Sequence, residues 1–304
     1  PTLREYKGSA YNGVPVSNGA FNITNSMVLP QTQNREYDSF SGKFLIELTI
    51  NGLIASSIGS HLGLPDLFDT ETGLSAIGRF GLMDGQSIFA YNGAFPPEPS
   101  AWEKKYLGWV NPKEILPATG IKRAGIKTPY SAGITDTALI EIPISADEYY
   151  LVENRLKNPN NAGLTLTIWN RGSTYTKFFA KDTSWFNSFT VDSLEGVIVD
   201  ASHFDWALPG SGILVWHIDE QVIREKRSVN KINTDKERRG VDLEEADGIQ
   251  DIGVQFTTIF GDVLVGEGDE YDLWYAGNSS DLYTNEFSAR TRPNTKSNTG
   301  ANSW

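Results

Sequence analysis

A series of short apolar runs in the second half of the chain sets the strongest limit on its fold. Residues 138–144, 149–153, 164–169 and 212–218 are rich in Ile, Val, Leu, Tyr and Trp and are separated by Gly, Asn, Pro and Asp. Runs this short, bounded by turn residues, read as strands, because a helix needs about ten or more residues to bury a face. The 304 residues, with 29 Gly and 8 Trp, suit a loop-rich α+β chain large enough for a sizeable core and for two domains. The pattern changes near Pro112, which predicts a division into residues 1–112 and 113–304; the loops at 159–161 and 208–210 are alternative sites for it.

The formal net charge of −12 argues against nucleic acid as a partner, since phosphate binding needs a basic stripe. The chain has no Cys, so disulfides, thiolate nucleophiles and Cys-bound metals are excluded. No run of about 18 apolar residues offers a transmembrane helix. The first residues, Pro1-Thr2-Leu3-Arg4, are not a signal peptide, and the chain is expected to be part of a longer precursor.

Before residue 40 the sequence reads as loops and short strands. From Gly42, the residues Phe44, Leu45, Leu48, Leu53, Ile54 and Ile58 approximate one face of a helix that stops at Gly63 and Pro65. A second, shorter helix is bracketed by Ser100 and Gly108; its Trp102, Tyr106 and Trp109 are expected to form one buried aromatic face.

The first of these helices carries Ser56-Ser57-Ile58-Gly59-Ser60-His61-Leu62-Gly63-Leu64-Pro65-Asp66-Leu67-Phe68-Asp69. This stretch resembles the active-site segment of the immune inhibitor A family of secreted zinc metalloproteases, usually His-Glu-x-Gly-His-x-Leu-Gly-Leu-Pro-Asp. Further blocks resemble the same family in the same order. Gly81-Leu82-Met83-Asp84-Gly85 is similar to the Met-turn beneath the zinc, and residues 99–109 to the segment that follows it. Residues 149–155 and 209–220 resemble the Tyr-Phe-Leu-x-Glu-Asn-Arg and Gly-Leu-Leu-Ile-Trp-His-x-Asp blocks. Asn233, residues 240–248 and residues 287–294 are similar to the later β-rich region. The resemblance implies a zincin-like core fragment followed by a β-rich, sandwich-like domain that the chain leaves unfinished at Trp304.

It also implies that the chemistry is missing. Ser56 and Ser60 stand where the two imidazole ligands belong and Ser57 stands where the general base belongs, while Asp66 or Asp69 retains the acidic position of a third ligand. Catalytic zinc needs three protein ligands and an open position, so one carboxylate does not suffice and zinc is not expected. Met83 would be a packing floor. His61 neighbours Ser60 in sequence, so it is rotated by about 100° around the helix and rebuilds neither the metal site nor a Ser-His pair. His203 and His217 form no helical pair with another His, and His217 reads as a structural imidazole beside a carboxylate.

The densest set of oxygen ligands is Asn233, Asp235, Asp242, Glu244, Glu245, Asp247 and Asp251, a candidate for calcium built from several loops or else a solvated acidic turn. Asp262, Glu267, Asp269, Glu270 and Asp272 form a second acidic stretch, read as solvated. The function expected is a pseudopeptidase, secreted or displayed on a bacterial surface. It would act as a structural or protein- or peptide-binding module within a larger secreted assembly. The rival readings are an active secreted metallopeptidase with an atypical metal site and an adhesin using exposed aromatic residues.

Overall fold

In the computed structural model, the described residues are 2–39, 42–85, 88, 90–116, 123–129, 131–133, 135–158, 162–179 and 196–301. The 159–161 loop and Trp304 lie outside them. Every apolar run singled out above is a strand, and the chain is mixed α/β and rich in sheet.

A short helix α1 (Leu3–Lys7), closed by a capping box between Thr2 and Glu5, precedes the hairpin of β1 (Val14–Val16) and β2 (Phe21–Ile23). A second hairpin pairs β3 (Gln33–Ser39) with β4 (Gly42–Leu48), and helix α2 (Asn51–His61) follows. The helix expected from Gly42 therefore begins only at Asn51. Leu45 and Leu48 lie three apart, as on a helix, but a short apolar run satisfies either period, and β3 supplies a pairing partner along its whole length. The side chain of Phe44 lies outside the described residues.

Helix α3 (Ala101–Tyr106) is capped by Ser100, with Glu103 completing a capping box. Trp102 is buried against the core and stacks on Tyr106 at 5.1 Å, but Tyr106 and Trp109 are exposed, contrary to the expected buried face. The helix is too short to carry that face to Trp109: it ends at Leu107, and Gly108 turns the chain with φ +70°.

The main sheet has the order β12–β11–β7–β6–β5, formed by β5 (Lys113–Glu114), β6 (Leu139–Pro143), β7 (Glu148–Arg155), β11 (Gly212–Asp219) and β12 (Val241–Glu244). All neighbours are antiparallel except β5 and β6. A smaller sheet places β8 (Leu164–Asn170) between β9 (Ser173–Phe179) and β10 (Val197–Ala201). Helix α4 (Glu220–Lys226) follows β11, and a hairpin of β13 (Gln255–Thr257) and β14 (Val263–Val265) comes late in the chain.

The larger apolar cluster joins Leu64, Leu67, Phe80, Met83 and Trp102 to Leu151, Leu214, Trp216 and Leu243 of the main sheet. A second joins Tyr91 and Phe95 to Leu164, Leu166, Ile168 and Trp206. Each draws side chains from before and after residue 113.

The two halves of the larger cluster are also tied by buried charge. The Glu153 carboxylate accepts hydrogen bonds from Lys104 Nζ of α3 (2.7 Å), from Trp216 Nε1 (3.0 Å) and from Arg155 (3.3 Å). Arg155 in turn forms a two-pronged pair with Asp205, both contacts 2.6 Å, and donates to the Phe80 carbonyl at 2.9 Å. Burial disfavours the charge on Glu153 and Asp205, but the neighbouring cations outweigh it and hold both below the usual carboxylate range.

Candidate functional site

Helix α2 starts without a side-chain cap, and the loop at residues 92–94 takes over that task. The amide of Gly52 donates to the Gly93 carbonyl at 2.9 Å, and the Asn51 side chain donates to the Ala94 carbonyl at 3.4 Å. This close approach explains a glycine in the first turn, because a Cβ at Gly52 would lie 2.1 Å from the backbone oxygen of Ile88. Downstream, Gly59 presses on Met83: a Cβ there would sit 2.8 Å from the Met83 sulfur. A flexible thioether yields more readily than a backbone carbonyl. Gly52→Ala should therefore cost about 2–4 kcal/mol in urea unfolding, whereas Gly59→Ala should fall within about 1 kcal/mol of wild type because alanine's helix propensity offsets the displaced sulfur.

Met83 is held from both sides. Its carbonyl accepts from the Leu67 amide, just past α2, at 2.9 Å, and its amide donates to Glu103 Oε1 of α3 at 3.1 Å. Burial raises the Glu103 pKa even though Ser100 and Met83 donate to the carboxylate. The adjacent Asp84, fully buried, gathers the Ser75 hydroxyl and the amides of Ala76, Ile77 and Gly78 on one oxygen at 2.9–3.2 Å. Helix, turn and α3 are thus one clamped unit, with Met83 at its centre.

The serines on this helix make few commitments. Ser56 donates its hydroxyl to the Leu53 carbonyl at 3.2 Å, Ser57 is half-buried, and Ser60 and His61 are exposed. Asp66 is engaged with Asn230: Asn230 Nδ2 donates to its carboxylate at 2.6 Å, and the Asp66 amide donates back to Asn230 Oδ1 at 3.0 Å. Asp69 caps its own turn, accepting from the Thr72 hydroxyl and the amides of Glu71 and Thr72. Burial works against its charge, but these hydrogen bonds hold its carboxyl below the usual range. Both acidic positions are therefore engaged, Asp66 by the distant Asn230 and Asp69 by its own turn, and neutral hydroxyls stand at the other positions. This donor set does not fit catalytic zinc.

The seven candidate calcium ligands do not converge. Asn233 is buried and points inward, donating to the carbonyls of Leu67 and Val241 and accepting from the Val241 amide. Asp235 is exposed and caps the Glu237 amide, and Asp242 pairs with Arg239 at 2.8 Å. Glu244 pairs with His217 at 3.3 Å. Glu245, Asp247 and Asp251 do lie together, joined by Asp269 and Asp272, which the sequence reading set apart as a solvated stretch. Burial first, then mutual repulsion, raises Glu245 to about 10 and Asp272 to about 8, and raises Asp247 and Asp251 as well. Among the described residues no group of three or more His, Cys, Asp or Glu side chains is arranged to hold a metal ion.

His217 is buried on β11 between carboxylates from the strands on either side. Its Nε2 meets Glu148 at 3.1 Å and its Nδ1 meets Glu244 at 3.3 Å. Burial disfavours the imidazolium, but the two carboxylates outweigh that and push the pKa up to about 9. The single carboxylate partner expected from sequence is in fact a pair. The register of three antiparallel strands supplies it, and spacing along one chain segment does not reveal it.

Comparison with protein-family models, curated proteins and solved structures finds no match for this chain. Its chemistry therefore rests on the residues themselves. Those that sequence reasoning missed are Asp84, Glu103, Glu148, Lys104 and Asp205, all buried and polar. The capping-box spacing of Ser100 and Glu103 was the one local signal available for any of them.

Proposed function

We propose that this chain is a metalloprotease-like domain of the immune inhibitor A type that has lost its zinc chemistry. It would act as a structural or protein-binding module of a secreted or cell-surface protein. The observation that supports this reading most is the clamped unit of α2 and Met83. Gly59 rests on the Met83 sulfur, as a helix above a Met-turn requires, while Ser56, Ser57 and Ser60 stand at the ligand and base positions. Without imidazoles no Lewis acid is held, and without a carboxylate at residue 57 no base is present to activate water.

Rebuilding the motif tests the proposal. Wild type should hydrolyse no casein or fluorogenic peptide with or without added zinc, and the triple variant Ser56→His, Ser57→Glu, Ser60→His should gain zinc binding. Zinc-dependent hydrolysis by wild type would favour an active metallopeptidase with an atypical site. A triple variant that folds but takes up no zinc would remove the likeness to a zincin.

A further inference from the structure

A cleft of about 670 Å³ opens above His217, away from helix α2 and independent of the metalloprotease likeness. Its floor is His217 with Glu244, one of the two carboxylates that share the imidazole, so the floor carries more negative than positive charge. One wall is the segment from Arg292 to Gly300, whose backbone is fixed to the sheet and to itself. The Asn298 amide donates to Glu148 at 2.8 Å, Tyr150 donates its hydroxyl to the Lys296 carbonyl at 3.0 Å, and the Asn298 side chain donates to Asp219 at 3.0 Å. Ser297 and Ala301 close the end of the segment with reciprocal bonds of 3.0 and 3.1 Å.

This anchoring leaves the side chains of Arg292 and Lys296 on the cleft, exposed and without an ion pair among the described residues. Ile249, Leu282 and Pro293 supply apolar surface beside them. A rigid wall offering two uncompensated cations next to apolar side chains is organised for an anion attached to an apolar body. Glu244 at the floor and Glu148 behind it disfavour a dianion, so a singly charged group suits the cleft better than a phosphate monoester.

We infer that this cleft binds a carboxylate carried on an apolar body, the chemistry presented by the C-terminal residue of a peptide. Arg292 and Lys296 hold the carboxylate, and Ile249, Leu282 and Pro293 receive the side chain.

Titration calorimetry on the full chain at pH 7 tests this with N-acetyl-leucyl-leucine, its C-terminal amide and phenyl phosphate. The acid should bind at least tenfold more tightly than the amide. The double variant Arg292→Ala, Lys296→Ala, both positions being exposed, should lose at least tenfold for the acid and leave the amide unchanged. No binding of the acid, equal binding of acid and amide, full binding by the double variant, or tighter binding of phenyl phosphate would each overturn the assignment.

Discussion

Replacing Arg155 with Met should lower the unfolding free energy by about 3–5 kcal/mol, the largest loss expected from any single change outside the apolar core. The side chain is fully buried and makes the two-pronged contact with Asp205, the bond to the Phe80 carbonyl and the contact with Glu153. Methionine fills most of the volume, so the loss comes chiefly from leaving the Asp205 carboxylate buried without its paired guanidinium, with only the attraction of Lys104 remaining. The double variant Arg155→Met, Asp205→Leu removes that stranded charge. It should recover more than half of the loss, a coupling that urea unfolding of both single variants and the double variant measures directly. If the two single losses simply added, the pair would not be the energetic unit described here.

Glu245→Gln should act in the opposite sense and only at higher pH. Folded Glu245 titrates near 10 against an ordinary 4.5, so its proton is kept on folding and released on unfolding. A raised pKa of this kind gives stability that is fully present below about pH 4.5 and declines as pH rises toward 10. Asp272, raised from 3.8 to about 8, adds to the decline over the lower part of the same window. Arg239 is paired with Asp242, and its attraction does not offset the burial of Glu245. Gln keeps the shape and can accept from the amides of Asp251 and Ile252, as the carboxyl does now. The variant should match wild type near pH 4 and exceed it by on the order of 2–4 kcal/mol at pH 8. A difference independent of pH would mean that Glu245 is ionised in the fold.

How much of this was legible in the sequence differs from element to element for physical reasons. Strands β6, β7, β8 and β11 are short runs rich in branched and aromatic residues, alternating in β8 and nearly continuous in β11, and turn residues bound them, so composition and spacing locate them. Strand β4 is ambiguous in sequence because its apolar spacing also fits a helix, and the deciding contribution is its pairing with β3. The charge network was invisible for a different reason. Lys104, the Glu153 and Arg155 pair of β7, and Asp205 are about 50 residues apart in sequence, and the default place for such residues is the surface. The acidic residues after Val241 show a related limit, since strand alternation sends Asp242 and Glu244 to partners on one side while Glu245 turns inward. At the helix, Ser56, Ser57 and Ser60 are read directly, but the partners of Asp66 and Asp69 depend on Asn230 and on a local turn that the motif does not encode.

The central claim, a zincin-like helix and Met-turn without zinc chemistry, is tested most directly by the zinc content of the protein purified without chelators and read by mass spectrometry. The account predicts zinc far below one atom per chain, unchanged after incubation with added zinc and gel filtration. One zinc per chain, lost on replacing Asp66 or Asp69 with Asn, would contradict it.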